Sequence, residues 1–318
     1  MLVFFLLAPL LVYNVLSASW ISSFIAYVQG TQAEKLSWYF SPTFISVLFA
    51  LAVFPLCLMN DLSKLSVTSF IGLGFMCYVV CLVVYDLVVG NGVGEGVRTV
   101  HNPGMGIFGS FATIMFAYCS HTSAVNLVSV LRKPQSRIKL VTFTSALVTA
   151  FYFIFIVCAY VTLGNLMEKK DDVLSARSSI GYKVGSVAVT LVCIFSYPIL
   201  MFPARTSVDW LLSLHFDRYA IWRNNQMMRT VTIVLIFMLL IVPVAIFAAS
   251  QAITVLGFLS AIFGSIIMFL LPSMFMLKIK SKVVLKPWEK FGVYFNLALG
   301  VVVLVGGLIG ETRSFLSK

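Results

Sequence analysis

Residues Phe116–Leu127 read FAYCSHTSAVNL, inside a run from Gly106 to Leu131 that carries no Asp, Glu, Lys or Arg. A helix needs about 20 apolar residues to cross hydrocarbon, so the run has the length of a membrane span. Its middle nevertheless holds Tyr118, Cys119, Ser120, His121, Thr122, Ser123 and Asn126. Polar side chains at membrane depth cost free energy unless they find partners. Cys119 to Thr122 are four consecutive positions, which cover more than one helical turn and cannot all face one neighbour. A helix that unwinds locally and lines a cavity has a use for all four, because its freed backbone groups need polar surroundings. The alternative is an unbroken helix in which a neutral His121 hydrogen-bonds an adjacent helix as a packing contact. The cluster is therefore a candidate substrate or ion cavity in a membrane protein.

Composition supports that class along the whole chain. Of 318 residues, 60% are apolar and 10% charged, and mean hydropathy is +1.02. A soluble domain carries about 25% charged residues. The net charge of +11 does not point to nucleic acid as a partner, because the basic residues are spread among loops and not gathered into one solvated domain. Lipid is the partner this composition fits. Cys57, Cys77, Cys81, Cys119, Cys158 and Cys193 all fall in apolar runs, which leaves no readable disulfide framework. There is no CxxC and no paired His/Cys spacing, so no metal site is expected. HExxH, a P-loop and paired carboxylates at membrane depth are missing too, so the sequence does not read as an enzyme and implies no cofactor. No polar segment is long enough for a nucleotide-driven pump.

Nine apolar runs predict nine helices in a single transmembrane domain, 1–318: 1–28, 42–60, 65–86, 107–131, 140–163, 184–204, 230–250, 253–277 and 291–310. None shows the short alternation of a membrane β-barrel. The first lacks the basic start of a signal peptide and reads as a span. With Met1 on the cytoplasmic side, fourteen Lys and Arg fall in inside loops and eight outside, while seven of the eleven acids fall outside. Such a bias orients the N-terminus inward and the C-terminus to the non-cytoplasmic side. GNGVGEG (Gly90 to Gly96) reads as an outer loop. LSLHFDRYAIWRNNQ (Leu212 to Gln226) mixes aromatic and Arg residues, which suits a helix in the headgroup layer.

Within this marking His121 is the sole ionisable group near the middle of a span. Tyr13, Asn14 and Ser17 fall within one turn of the first run, and Asn14 is expected to face the same cavity. In SYPILMFP, Ser196, Pro198 and Pro203 mark a second candidate break, since proline removes a helical hydrogen bond. Thr190 and Ser196 are candidate oxygen ligands for a small cation. The competing reading of Thr190 is a bond back to the preceding turn. Gly257, Ser260, Gly264, Ser265 and the Gly306–Gly310 pair read as sites of close helix packing.

FAYCSH resembles the Phe-Ala-Phe-x-Cys-His stretch in the sixth helix of amino acid/auxin permease family transporters. Phe116, Ala117 and His121 match, Tyr118 keeps the aromatic, and Ser120 stands where Cys is usual. LVSVLRKPQSRIKLVT, which follows, is similar to the family's E-L-K-x-P-S passage, with Ser129 or Val130 replacing the acid. FPLCLMNDLSKLSVTS resembles a third family segment, and VAVTLVCIFSYPILMFPARTSV resembles its eighth helix, ending in Phe-Pro-x-Arg.

The resemblance implies an all-α, multi-pass LeuT-like bundle with two inverted five-helix repeats around a central site. The nine runs then correspond to helices three to eleven, with the first two absent and roughly 90 further residues expected upstream, at about 20 apolar residues per helix. Phe116, Tyr118, Cys119, Ser120, His121 and Thr122 would line the amino-acid pocket. The implied function is secondary active or facilitative amino-acid transport by alternating access, with a proton or sodium ion as possible coupling ion, in the plasma membrane or a vacuolar or lysosomal membrane. The alternative is a catalytically silent receptor or scaffold, or a truncated product that transports little by itself.

Overall fold

The computed structural model describes residues 2–31, 37–59, 66–90, 92–97, 106–118, 134–169, 172–215, 225–247, 252–279 and 286–316. Among the described residues there is no strand. The helices are α1 (Leu2–Val28), α2 (Pro42–Cys57), α3 (Ser66–Tyr85), α4 (Gly106–Ala117), α5 (Pro134–Leu163), α6 (Ile180–His215) and α7 (Gln226–Phe247). Helix α8 begins as Ala252–Leu259, passes through π-helical Ser260–Gly264 and Ile266–Leu270, and ends as Leu271–Ile279. Helix α9 is Pro287–Leu316. Seven of these helices are long and apolar enough to cross a membrane, while α2 and α4 are shorter apolar helices. The chain is thus an integral, multi-pass membrane protein, in which helices satisfy the backbone without water.

Local sequence explains several ends. Ser41 caps α2 by accepting from the Phe44 amide at 3.3 Å, with Pro42 at the first helical position, where its missing N–H costs nothing. Glu289 in the first turn of α9 accepts from the Lys286 amide at 2.8 Å, the reach-back half of a capping box. Helix α3 ends in a π-helical turn, Asp86–Gly90.

The core lies where α1 runs against α6, the most extensive helix pair. Leu6, Leu10, Val53, Tyr197, Met201 and Val234 are buried there, from α1, α2, α6 and α7. Large apolar side chains such as Phe70, Phe143, Leu239 and Phe247 face outward, as lipid contact requires. A second cluster joins α4, α8 and α9 through Ala112, Ala261 and Val303. Small residues set that approach: a Cβ on Gly307 would lie 2.9 Å from the Cβ of Ala261 and 3.3 Å from that of Ala112.

Helix α6 departs from expectation. It runs unbroken from Ile180 to His215, through both Pro198 and Pro203, so SYPILMFP holds no break. Each proline removes one N–H and can be absorbed by bending. Beside Pro203, Thr206 donates to the Phe202 carbonyl at 2.9 Å and Ser207 to the Pro203 carbonyl at 2.7 Å. The helix also extends past the expected end at 204, so Leu212 to His215 form its last turn. The rest of the proposed headgroup-layer segment, 216–224, lies outside the described residues. Arg205 is buried in this extension and donates at 2.6 Å to the carbonyls of Cys57 and of Met59. One guanidinium thereby satisfies the C-terminal end of α2, whose last carbonyls lack intrahelical partners. Arg229 of α7 pairs with Asp209 of α6 at 3.2 Å.

Candidate functional site

The site grows from the middle of α1. Asn14 is fully buried. Its Nδ2 donates to the Ser46 carbonyl at 3.4 Å, and the Ser46 hydroxyl donates to its Oδ1. Its amide is therefore engaged by α2 and ties the two helices together. Tyr13 and Ser17, one turn apart on α1, point elsewhere. Tyr13 lies near Cys193 of α6 and Tyr152 of α5. Ser17 is buried beside the Cys193 thiol, with no other hydrogen-bond partner among the described residues. A one-residue step turns a helical side chain by about 100°, which is why Asn14 and Tyr13 reach different neighbours.

The second half is the end of α4. Helix α4 is described to Ala117, where the Tyr118 amide donates to the Met115 carbonyl at 3.1 Å in a tightened closing turn. Phe116 is half-buried and meets α8 at Gly264, where a Cβ would sit 3.8 Å from its ring. Tyr118 packs edge-on against Tyr152, with ring centroids 5.3 Å apart and an interplanar angle of 84°. The Tyr152 hydroxyl donates to the Ala117 carbonyl at 3.4 Å. Cys119, Ser120, His121 and Thr122 lie outside the described residues. Tyr152 thus holds the chain that enters the polar cluster, and Tyr13 of α1 lies within electrostatic range of its hydroxyl. The sequence offered no sign of this role, since Tyr152 stands among Phe151, Phe153 and Phe155 in an apolar run.

Helix α8 bounds the site with two π-helical stretches. Such stretches misalign backbone bonds and are frequent near functional sites. Ser260 and Ser265 each donate to a carbonyl four residues back at 2.6 Å, and Asn296 of α9 donates to the Phe269 carbonyl at 3.2 Å and to Ser273 Oγ at 3.0 Å. These side chains take up bonding capacity that irregular winding leaves over.

Thr190 is buried on α6 and donates to the Ser186 carbonyl at 2.9 Å, a bond to the preceding turn. Its oxygen lone pairs remain available. In this continuous helix Thr190 and Ser196 are about 9 Å apart along the axis and turned roughly 120° from each other, given 1.5 Å and about 100° per residue. The two therefore do not converge on one point.

A cavity of about 580 Å³ adjoins Tyr152; Trp20, Val79, Tyr152, Phe155, Leu174 and Val189 are among its lining residues. Its walls are mostly apolar. Of its polar lining groups, Trp20 Nε1 donates to Asp172 Oδ1 at 3.2 Å.

A helix held by an aromatic pair as it closes just before a polar cluster is an arrangement suited to binding a small polar solute. Comparison with known proteins gives the same direction. Residues 1–312 match the family described as transmembrane amino acid transporter protein. The chain belongs to that family. It is similar to vacuolar amino acid transporter 5 of Schizosaccharomyces pombe, with 28% identity over 176 residues, 53% of this chain and 42% of the relative. Human sodium-coupled neutral amino acid transporter 4 is 28% identical over 204 residues, 61% of this chain and 35% of the relative. Vacuolar amino acid transporter 7 of Saccharomyces cerevisiae is 28% identical over 178 residues, covering 50% and 35%. The matched part of this chain thus spans about two-fifths or less of the length of these relatives.

Proposed function

We propose that this protein carries amino acids across a membrane by alternating access, with the site between the middle of α1, the end of α4 and the facing side of α5. Tyr13, Ser17, Phe116, Tyr118 and Tyr152 form the described part of that site, and Cys119, Ser120, His121 and Thr122 complete it. Asn14 positions α1 by holding α2. The observation that carries this reading is the hold of Tyr152 on the end of α4, through the Tyr118 ring and the Ala117 carbonyl, immediately before the polar cluster. Family membership supports the substrate class. The inverted-repeat architecture belongs to the same proposal, as does a proton or sodium ion as coupling ion. Thr190 and Ser196 then act as separate oxygen donors.

The test is uptake. The protein reconstituted in liposomes should accumulate at least one radiolabelled L-amino acid saturably, with preference over the D-enantiomer. Substrate binding with no uptake by the same preparation would replace transport with a receptor role.

A further inference from the structure

We infer that residues 172–177 form a strap latched over one end of the 580 Å³ cavity, and that the Asp86–Arg177 ion pair is the latch. Two anchors hold the strap to different helices. At its start, Asp172 Oδ1 accepts from Trp20 Nε1 of α1 at 3.2 Å and from its own Ser175 amide at 2.8 Å. At its end, Arg177 Nε lies 3.1 Å from Asp86 Oδ2, on the π-helical turn that ends α3. Arg177 Nη2 also donates to the Thr162 carbonyl near the end of α5 at 3.1 Å. The same Asp86 oxygen accepts from the Tyr182 hydroxyl of α6 at 2.9 Å. One arginine and one carboxylate therefore gather α3, α5 and α6, and the strap between the anchors supplies Asp172, Val173 and Leu174 to the cavity wall.

The chemistry favours a latch over simple packing. Asp86 and Tyr182 are buried, and burying a charge is costly unless it is paired and hydrogen-bonded. Breaking such a pair is correspondingly unfavourable, so the closed position is held by a discrete set of bonds. Between the anchors Leu174 is the one buried residue of the strap; it joins the edge of the main core with Val173 packed beside it, near Gly185 of α6, where a Cβ would approach Leu174 to 3.4 Å. Releasing Arg177 frees the end of the strap next to α6 and lets Leu174 lift from the cavity. This inference stands apart from the identity of the transported solute and does not need transport for its test.

The test is thiol accessibility in lipid nanodiscs, where both faces meet solvent. In a background with the native cysteines replaced, Leu174→Cys should react slowly with a polar maleimide. Adding Arg177→Gln should raise the rate at least fivefold, and adding Arg177→Lys, which keeps the charge, should raise it much less. Ala204→Cys, buried in the core, is the control. An unchanged rate at position 174 in Arg177→Gln overturns the latch. A parallel rise at position 204 also overturns it, because the ion pair would then be supporting the whole bundle.

Discussion

Tyr118 and Tyr152 meet edge-on with their ring centroids 5.3 Å apart, and the Tyr152 hydroxyl reaches back to the Ala117 carbonyl. The last described turn of α4 is thereby held by α5. Tyr152→Phe keeps the ring pair and loses the hydrogen bond, while Tyr152→Ala loses both. The expected result is a modest rise in KM for uptake with Phe and a rise of about tenfold or more with Ala, the latter corresponding to roughly 1.4 kcal/mol of lost substrate binding. Kinetics on equal amounts of folded protein check this, and an Ala variant with normal KM removes Tyr152 from the site.

Asn14 and Ser46 give a second prediction, about stability. Each side chain supplies one hydrogen bond to the other helix. Interhelical hydrogen bonds in membranes contribute about 0.6–2 kcal/mol. Asn14→Leu should lower Tm without changing substrate selectivity. Ser46→Ala keeps the backbone carbonyl that accepts from Asn14 and should cost less, and the double substitution should cost less than the sum, because both singles break the hydroxyl–amide bond. Additive effects would show that the two residues act independently.

The Glu311 carboxylate on α9 lies over Gly257 of α8, where a Cβ would come within 2.4–2.5 Å of its atoms, and over Gly109 of α4, at 2.7 Å. Gly257→Ala should therefore displace the Glu311 carboxylate and destabilise the α4–α8–α9 junction by about 1 kcal/mol, the low end of overpacking, because the displaced atoms end a flexible side chain. Glu311→Ala in the same chain should restore part of the loss. Thermal unfolding in detergent reads both, and a Gly257→Ala protein as stable as the parent contradicts the packing.

Orientation is open to a direct check. The Lys and Arg bias of the sequence predicts 164–183 on the non-cytoplasmic side and 278–290 on the cytoplasmic side. Single cysteines at Lys170 and Lys282 should react with an impermeant reagent from opposite faces of the membrane. Reaction of both from one face rejects the orientation.

Hydropathy made the helices legible because lipid demands apolar length, and run 1–28 appears as Leu2–Val28. Partnerships were not legible, because composition does not say what lies across a helix boundary. Asp86 and Arg205 read as charges at or beyond span ends, yet both are buried, one under Arg177 and Tyr182, the other on the end of α2. Asn14 was readable as a buried polar group but not as the partner of Ser46, 32 residues away. The prolines of α6 misled because local propensity favours a break where the packed helix continues. The polar cluster itself was found by sequence alone, from four consecutive polar positions in an uncharged run.

Cys119 lies inside that cluster, immediately after Tyr118, and its thiol gives the most direct test of the site. With the other five cysteines replaced, the rate at which a small thiol reagent modifies Cys119 is measured with and without saturating amino acid. The account predicts that a transported L-amino acid slows modification several-fold and that its D-enantiomer does not. Equal rates in the presence and absence of a transported L-amino acid would contradict the placement of the substrate at the end of α4.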